Sequence, residues 1–302
     1  MKKWFVLFFV IIFIVLFPYQ SLFLTFFFLA LAGHEVAGHA GFMRRYKIKI
    51  AEISLGISRQ TLRLRKPGNP FKIIRPAGSM HVMGKTFDIP LLTIQPIPIG
   101  ANTEPTQNGK RAMASLPLYQ KLQIYGAGIY INILLAILCY LALWMIPLFY
   151  ALTNHVTPDQ EVVGNILKSL ALLIIFVVFR YFLSMAAPIV LGVVTFLLLV
   201  PTLAVPEGKE MITGPVGMIT IGMQATSLIN VLVIGFALNI GLAMGNSLPL
   251  AITDGGVMLK MILKRIGVKA KWRRALNKIC FVMLLILVFF PLAMDIKRLL
   301  PV

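Results

Sequence analysis

The chain has 302 residues, 59% of them hydrophobic, and a mean hydropathy of +0.88. Soluble domains hold about half apolar residues, so this composition excludes an ordinary soluble domain and indicates an all-α polytopic membrane protein. Lys and Arg total 29 against 10 acids, for a net charge of +19. The cations flank apolar runs, as the positive-inside rule requires; this excludes nucleic acid as a partner and points to the lipid bilayer and its anionic headgroups.

In chain order, residues 1–20 read as a first span, with Lys2 and Lys3 ahead of an apolar run. A signal peptide begins the same way, but no small-residue cleavage site follows. Residues 21–46 form a second span, closed by Arg44 and Arg45. Residues 47–120 are a basic loop in which "KIKIAEISLGIS" and "TLRLR" alternate like strands and Pro, Gly and Asn punctuate the rest. Residues 121–150 are again a span, and the polar stretch 153–161, without Lys or Arg, fits the outer face. Residues 162–205 are long enough for two further spans, with Arg180 near the inner turn. Residues 212–258 return inward, 260–278 make a strongly basic cytoplasmic loop, and 279–296 form the last span. The reading is one membrane domain of about seven transmembrane helices with a small membrane-associated β-containing loop. It sits in a cell (inner) membrane with its amino terminus in the cytoplasm. Cys139 and Cys280 lie far apart within apolar runs and read as small core residues rather than a disulfide.

An ionisable group at bilayer depth costs about 2.5–3.5 kcal/mol and is a functional candidate by default. Eight of the ten acids fall in loops or at a span end; Glu35 and Asp254 do not. His34 and His39 flank Glu35, whereas His81 and His155 fall in loops and read as surface residues. Two imidazoles and one carboxylate with an open position make a catalytic zinc shell. The other carboxylate would then be general base toward the attacking water. Both acids lie near the cytoplasmic ends of their spans, at similar depth.

The local sequence is Gly33-His34-Glu35-Val36-Ala37-Gly38-His39-Ala40, one residue longer than the H-E-x-x-H zinc helix. At about 100° per residue, five steps put the second His roughly 140° from the first, against about 40° for four. A regular helix would therefore part the two rings. A π-bulge absorbs one extra residue and restores a common face, and Gly38 loosens the backbone next to His39.

Four stretches together resemble the site-2 protease family of intramembrane zinc metalloproteases. "HEVAGHAGFMRRYKIKIAEISLGIS" is similar to its metal helix and following β-loop, and "QPIPIG" to the end of that loop. "AGIYINILLAIL" is similar to a second helix usually written A-G-P-x-x-N. "GPVGMITIG" and "NSLPLAITDGG" are similar to a third, usually N-x-x-P-x-P-x-x-D-G-G. The resemblance covers most of 21–150 and 212–258. It departs at Ile129 and Ala251, which stand where prolines are usual, and extra spans occupy the interval that holds a PDZ domain in many members. The resemblance implies that His34, His39 and Asp254 bind Zn2+, that Glu35 is the base and that Asn246 helps to hold substrate. For Asn132, glue between helices is the preferred reading.

The function expected is hydrolysis of a peptide bond in or near a transmembrane helix, in a transmembrane or signal-peptide-like substrate. The substrate would unwind and add to an edge of the strand pattern at 47–65. The alternatives are an inactive relative that binds transmembrane helices, its metal lost through the extra residue, and an ion- or proton-coupled transporter.

Overall fold

Helical residues 11–16 lead into α1 (Pro18–Ala32), whose Pro18 takes a first-turn position that needs no N–H. The computed structural model describes residues 11–57, 72–75, 78–82, 85–94, 97–204, 215–250 and 252–299. α1 continues without a break into a π-helix, Gly33–Ala40, and then α2 (Gly41–Arg45), so that Pro18–Arg45 is one apolar span. Residues 1–10 of the expected span at 1–20 lie outside the described residues, and Pro18–Gln20 already belong to α1.

The basic loop folds as two small sheets. β1 (Ile50–Ile57), β2 (Lys72–Arg75), β5 (Leu91–Ile94) and β6 (Ile97–Pro105) form a four-stranded sheet in the order β2-β5-β1-β6. β3 (Gly78–Val82) and β4 (Lys85–Ile89) make a separate hairpin. β1 runs parallel to β5 and antiparallel to β6, with Ile53 opposite both Leu92 and Thr103. For residues 50–57 this corrects the expectation of a receptive edge at 47–65: among the described residues β1 is paired on both sides, and the edges of the sheet are β2 and β6. Alternation marks a strand without telling its neighbours, and β1's second partner comes from residues some forty positions further on. "TLRLR" (61–65) lies outside the described residues. The loop also ends earlier than expected, in the helix α3 (Gln107–Ser115), whose first turn is capped by Thr106 accepting from the Gly109 N–H at 3.0 Å.

α4 (Leu118–Thr153) is the central helix, packed against the π-helix and against α5 (Gln160–Val178), α6 (Arg180–Ala204), α8 (Leu228–Ser247) and α9 (Asp254–Arg265). Arg180 does fall at the turn between α5 and α6. The return toward the basic side is not one helix. α7 (Pro215–Met223) stops short, and Gln20 on α1 donates to the freed Ala225 carbonyl at 2.9 Å. α8 then starts from the Ser227 cap. α10 (Ala270–Leu299) closes the chain, and its buried Asp295, taken from sequence as a span-end residue, accepts from the Gly217 N–H at 2.9 Å at the start of α7.

Six helices among the described residues are long and apolar enough to cross a membrane. Large apolar side chains such as Leu167, Phe182 and Leu197 face outward from α5 and α6, as lipid contact requires. The protein is an integral multi-pass membrane protein. One end of the bundle gathers cations: the Arg45 and Arg180 guanidinium groups lie 4.1 and 4.8 Å from the Tyr181 ring centre. There Gln123, on α4, donates to the Tyr181 carbonyl at 2.8 Å and accepts from the Tyr46 hydroxyl. Cys139 and Cys280 are buried free thiols.

Candidate metal centre

The extra residue of the His-Glu-His stretch is absorbed by widening the helix. All eight residues from Gly33 to Ala40 are π-helical, so residues five apart face the same way. The His34 and His39 rings meet edge to face, 4.9 Å between centroids, with their Nε2 atoms 3.2 Å apart. The widening spans the whole motif rather than one bulged residue. Gly38 serves a different need from backbone looseness: a Cβ there would lie 2.7 Å from the Gly128 Cα and 2.9 Å from the Ala127 carbonyl oxygen. It lets the metal helix touch the backbone of α4.

α4 meets that helix with one stripe, Ile124, Gly128 and Asn132, four residues apart and hence on one face. The Ile124 carbonyl accepts from His39 Nδ1 at 2.8 Å. A carbonyl can only accept, so His39 carries its proton on Nδ1 and keeps the Nε2 lone pair free. Gly128 has no side chain because a Cβ there would run into the His34 ring. Asn132 is 0% exposed, and its amide lies 3.0 Å from His34 Nδ1. With the amide oxygen turned to an Nδ1–H, His34 too presents a bare Nε2; the oxygen and nitrogen ends of an amide are exchangeable by a flip. Sequence reasoning set Asn132 aside as glue. The signal that marks it is a Gly and an Asn at helical spacing in an otherwise apolar span.

Asp254 arrives by a broken path. α8 ends at Ser247, the chain runs non-helically to the Thr253 cap, and Asp254 opens the separate helix α9. It is therefore at a helix start rather than near the end of a span. Gly255 and Gly256 allow α9 to begin directly beneath the incoming chain, since a Cβ on either would strike the carbonyl oxygen of Ser247 or Leu250. Asp254 Oδ2 sits 3.2 Å from His34 Nε2 and 3.4 Å from His39 Nε2.

Three donor atoms thus form a near-equilateral triangle of 3.2, 3.2 and 3.4 Å. Ligands about 2.0–2.1 Å from a tetrahedral metal ion are separated by about 3.3–3.4 Å, so the donor set fits such an ion without rearrangement. Glu35 brings a second carboxylate; with His34 and His39 it places ligand-type atoms within 4.8 Å of one another. Glu35 is 6% exposed, and its Oε2 has no hydrogen-bond partner among the described residues. The tighter third corner is Asp254, which leaves Glu35 with an unsatisfied oxygen beside the triangle. The backbone carbonyl of Glu35 accepts from the Thr103 hydroxyl on β6 at 3.3 Å, fastening the edge strand beside the motif. Asn246 lies on the last turn of α8, half-buried, eight residues before Asp254.

Two imidazoles and an aspartate converging inside a bundle of membrane helices, with a free carboxylate at hand, define a membrane-embedded metallopeptidase type of centre. The chain belongs to peptidase family M50, the site-2 protease family, whose family model matches residues 22–290. The chain is accordingly a member of a metal-dependent protease family. No curated protein matches it.

Proposed function

We propose that this protein is an intramembrane zinc endopeptidase that hydrolyses a peptide bond within or next to a substrate's transmembrane helix. The donor triangle of His34, His39 and Asp254 carries the reading, because its edges match the spacing a tetrahedral ion needs. Two nitrogens and one oxygen suit zinc and leave a fourth position open. Zinc, when bound, supplies a Lewis acid and brings the pKa of a water down to about 7.

The protein's own groups divide the remaining work. His39 is held by the Ile124 carbonyl and His34 by Asn132, so neither ring needs to turn on loading. Glu35 takes a proton from the attacking water and passes it to the leaving amine; its unpartnered Oε2 is the atom free to do so. Asn246 helps to hold the substrate. A substrate helix hides its amides in its own hydrogen bonds and must unwind first. The freed segment pairs with β6, the sheet edge tied to Glu35 through Thr103. The basic end of the bundle faces the cytoplasm, the amino terminus lies on that side, and the membrane is a cell (inner) membrane. The π-helical geometry, which keeps both rings on one face despite the extra residue, supports the metal-binding reading over the inactive relative.

The test is metal content and cleavage of a transmembrane peptide by the purified full chain. The wild type should carry one zinc and cleave; Glu35→Gln should keep the zinc and lose cleavage. A wild type without zinc, or a Glu35→Gln variant that cleaves normally, would overturn the proposal.

A further inference from the structure

Beside the centre lies a groove of about 1380 Å³, walled by β6, α3, the first turns of α4 and the end of α9. Several of its lining residues adjoin the catalytic region. Thr103 donates to the Glu35 carbonyl at 3.3 Å. Tyr125 adjoins Ile124, which holds His39, and Met43 lies one turn beyond His39. Lys110, Lys121, Lys264 and Arg265 also line it. Only Lys110 has an acidic partner there among the described residues, Glu104 at 2.7 Å. Lys121 donates to the Ala114 carbonyl at 2.6 Å, and Lys264 and Arg265 stand exposed. No acid relieves them in sequence either: residues 260–278 hold eight Lys or Arg and no Asp or Glu.

β6, an edge strand among the described residues, lines this groove with Asn102, Thr103 and Pro105. An extended segment added to that edge beside Thr103 would carry its flank through a groove lined by these four cations. Most transmembrane helices carry Lys and Arg on their cytoplasmic flank, and like charges brought together at an interface are rejected.

We propose that the groove is a charge filter: it admits substrates whose flank beside the scissile segment is acidic and turns away the basic flanks of ordinary membrane proteins. This names a substrate class for the site and rests on the protease reading above. A peptide occupant is favoured over a lipid headgroup because the cations share one groove with an edge strand and with the hydroxyl that touches the Glu35 backbone. A headgroup site has no use for either.

The experiment uses the full chain in neutral detergent and transmembrane peptides that differ only in the flank, four Asp, four Ser or four Lys. Affinity is read by fluorescence anisotropy on zinc-loaded Glu35→Gln, and kcat/KM on the wild type. The acidic flank should be preferred over the basic one by about tenfold or more at low ionic strength, with the ratio shrinking in 0.5 M salt. In Lys264→Glu/Arg265→Glu the ratio should invert; it is taken within each variant, so a general loss of folded protein cancels. Equal affinity for the three flanks would overturn the filter, as would a ratio unchanged in the double variant. A preference that emerges only after anionic lipid is added would also overturn it and assign the groove to headgroups. If the wild type cleaves every flank equally well, the filter falls and the protease stands. If it cleaves none while Glu35→Gln still ranks the flanks, the protease reading falls and the filter stands.

Discussion

The centre is supplied by two regions that solve one problem in opposite ways. A donor side chain at bilayer depth must be aimed while its own backbone stays hydrogen-bonded. The histidine region widens: Gly33–Ala40 stays helical and gains a shared face for His34 and His39. The aspartate region breaks: α8 stops at Ser247 and α9 starts at Asp254. There side chains replace the lost helix bonds, with Thr253 donating to the Leu248 carbonyl at 2.5 Å and accepting from the Gly256 N–H at 3.2 Å. The glycines differ accordingly. Gly38 and Gly128 open a contact between two helices, whereas Gly255 and Gly256 make room for the chain's own preceding turn. The widened route leaves its precision to α4; the broken route carries its own.

The comparison breaks most plainly at Gly128. In Gly128→Ala the new methyl occupies the place of the His34 ring, and a shift of about 1 Å in a reacting group costs on the order of a hundredfold. Zinc content and kcat/KM should both fall by that order or more. Gly255→Ala should instead lower thermal stability, since α9 must move off its own connection, by about 1–3 kcal/mol. Were Gly128→Ala to keep its zinc, α4 would not be what aims the histidine helix.

Asn132→Ala should have the next largest effect. Removing the group that holds the far side of a ligating imidazole typically weakens metal affinity by about 10–100-fold. Competition with a chelating dye reads this without any substrate, and Ile124, which uses its backbone, offers no matching variant on the His39 side. Unchanged affinity would return Asn132 to a role in packing alone.

Deleting Ala37 sharpens the contrast from the other direction. It leaves His34-Glu35-Val36-Gly38-His39, the regular four-residue spacing. A π-widening is one residue's worth of excess, so the segment should relax to an α-helix with both flanks in register. Stoichiometric zinc and measurable cleavage should survive, with a clear loss of rate. Loss of all metal would mean that α4 is shaped to the wide helix alone.

How much of this could be read from the chain depends on where the information sits. The shared face of His34 and His39 follows from a five-residue step and the rigidity of helices, so it was legible. The break before Asp254 is only half legible: Pro249 and the Gly255-Gly256 pair of "NSLPLAITDGG" punctuate the chain, but only the carbonyls beneath Gly255 and Gly256 reveal why two glycines stand there. Alternation identified β1 as a strand, but its place between β5 and β6 depends on pairings far along the chain. Asn132 was visible as a residue, yet its partner lies 98 positions away on another helix.

Thr103→Val is the smallest and most discriminating change. The Thr103 hydroxyl donates to the Glu35 carbonyl at 3.3 Å, a long bond from the edge strand to the widened helix. A hydrogen bond of this kind contributes about 0.5–1.5 kcal/mol, and valine keeps the shape. If β6 serves as the substrate's docking edge, kcat/KM should fall only about fivefold, a loss of about 1 kcal/mol. Zinc content should not change, because none of the three donor atoms touches Thr103. If zinc is lost as well, the sheet is bracing the histidine helix, and the widened region depends on two neighbours rather than on α4. A pure rate effect keeps the two roles apart: α4 sets where the metal donors stand, and β6 sets where the peptide meets them.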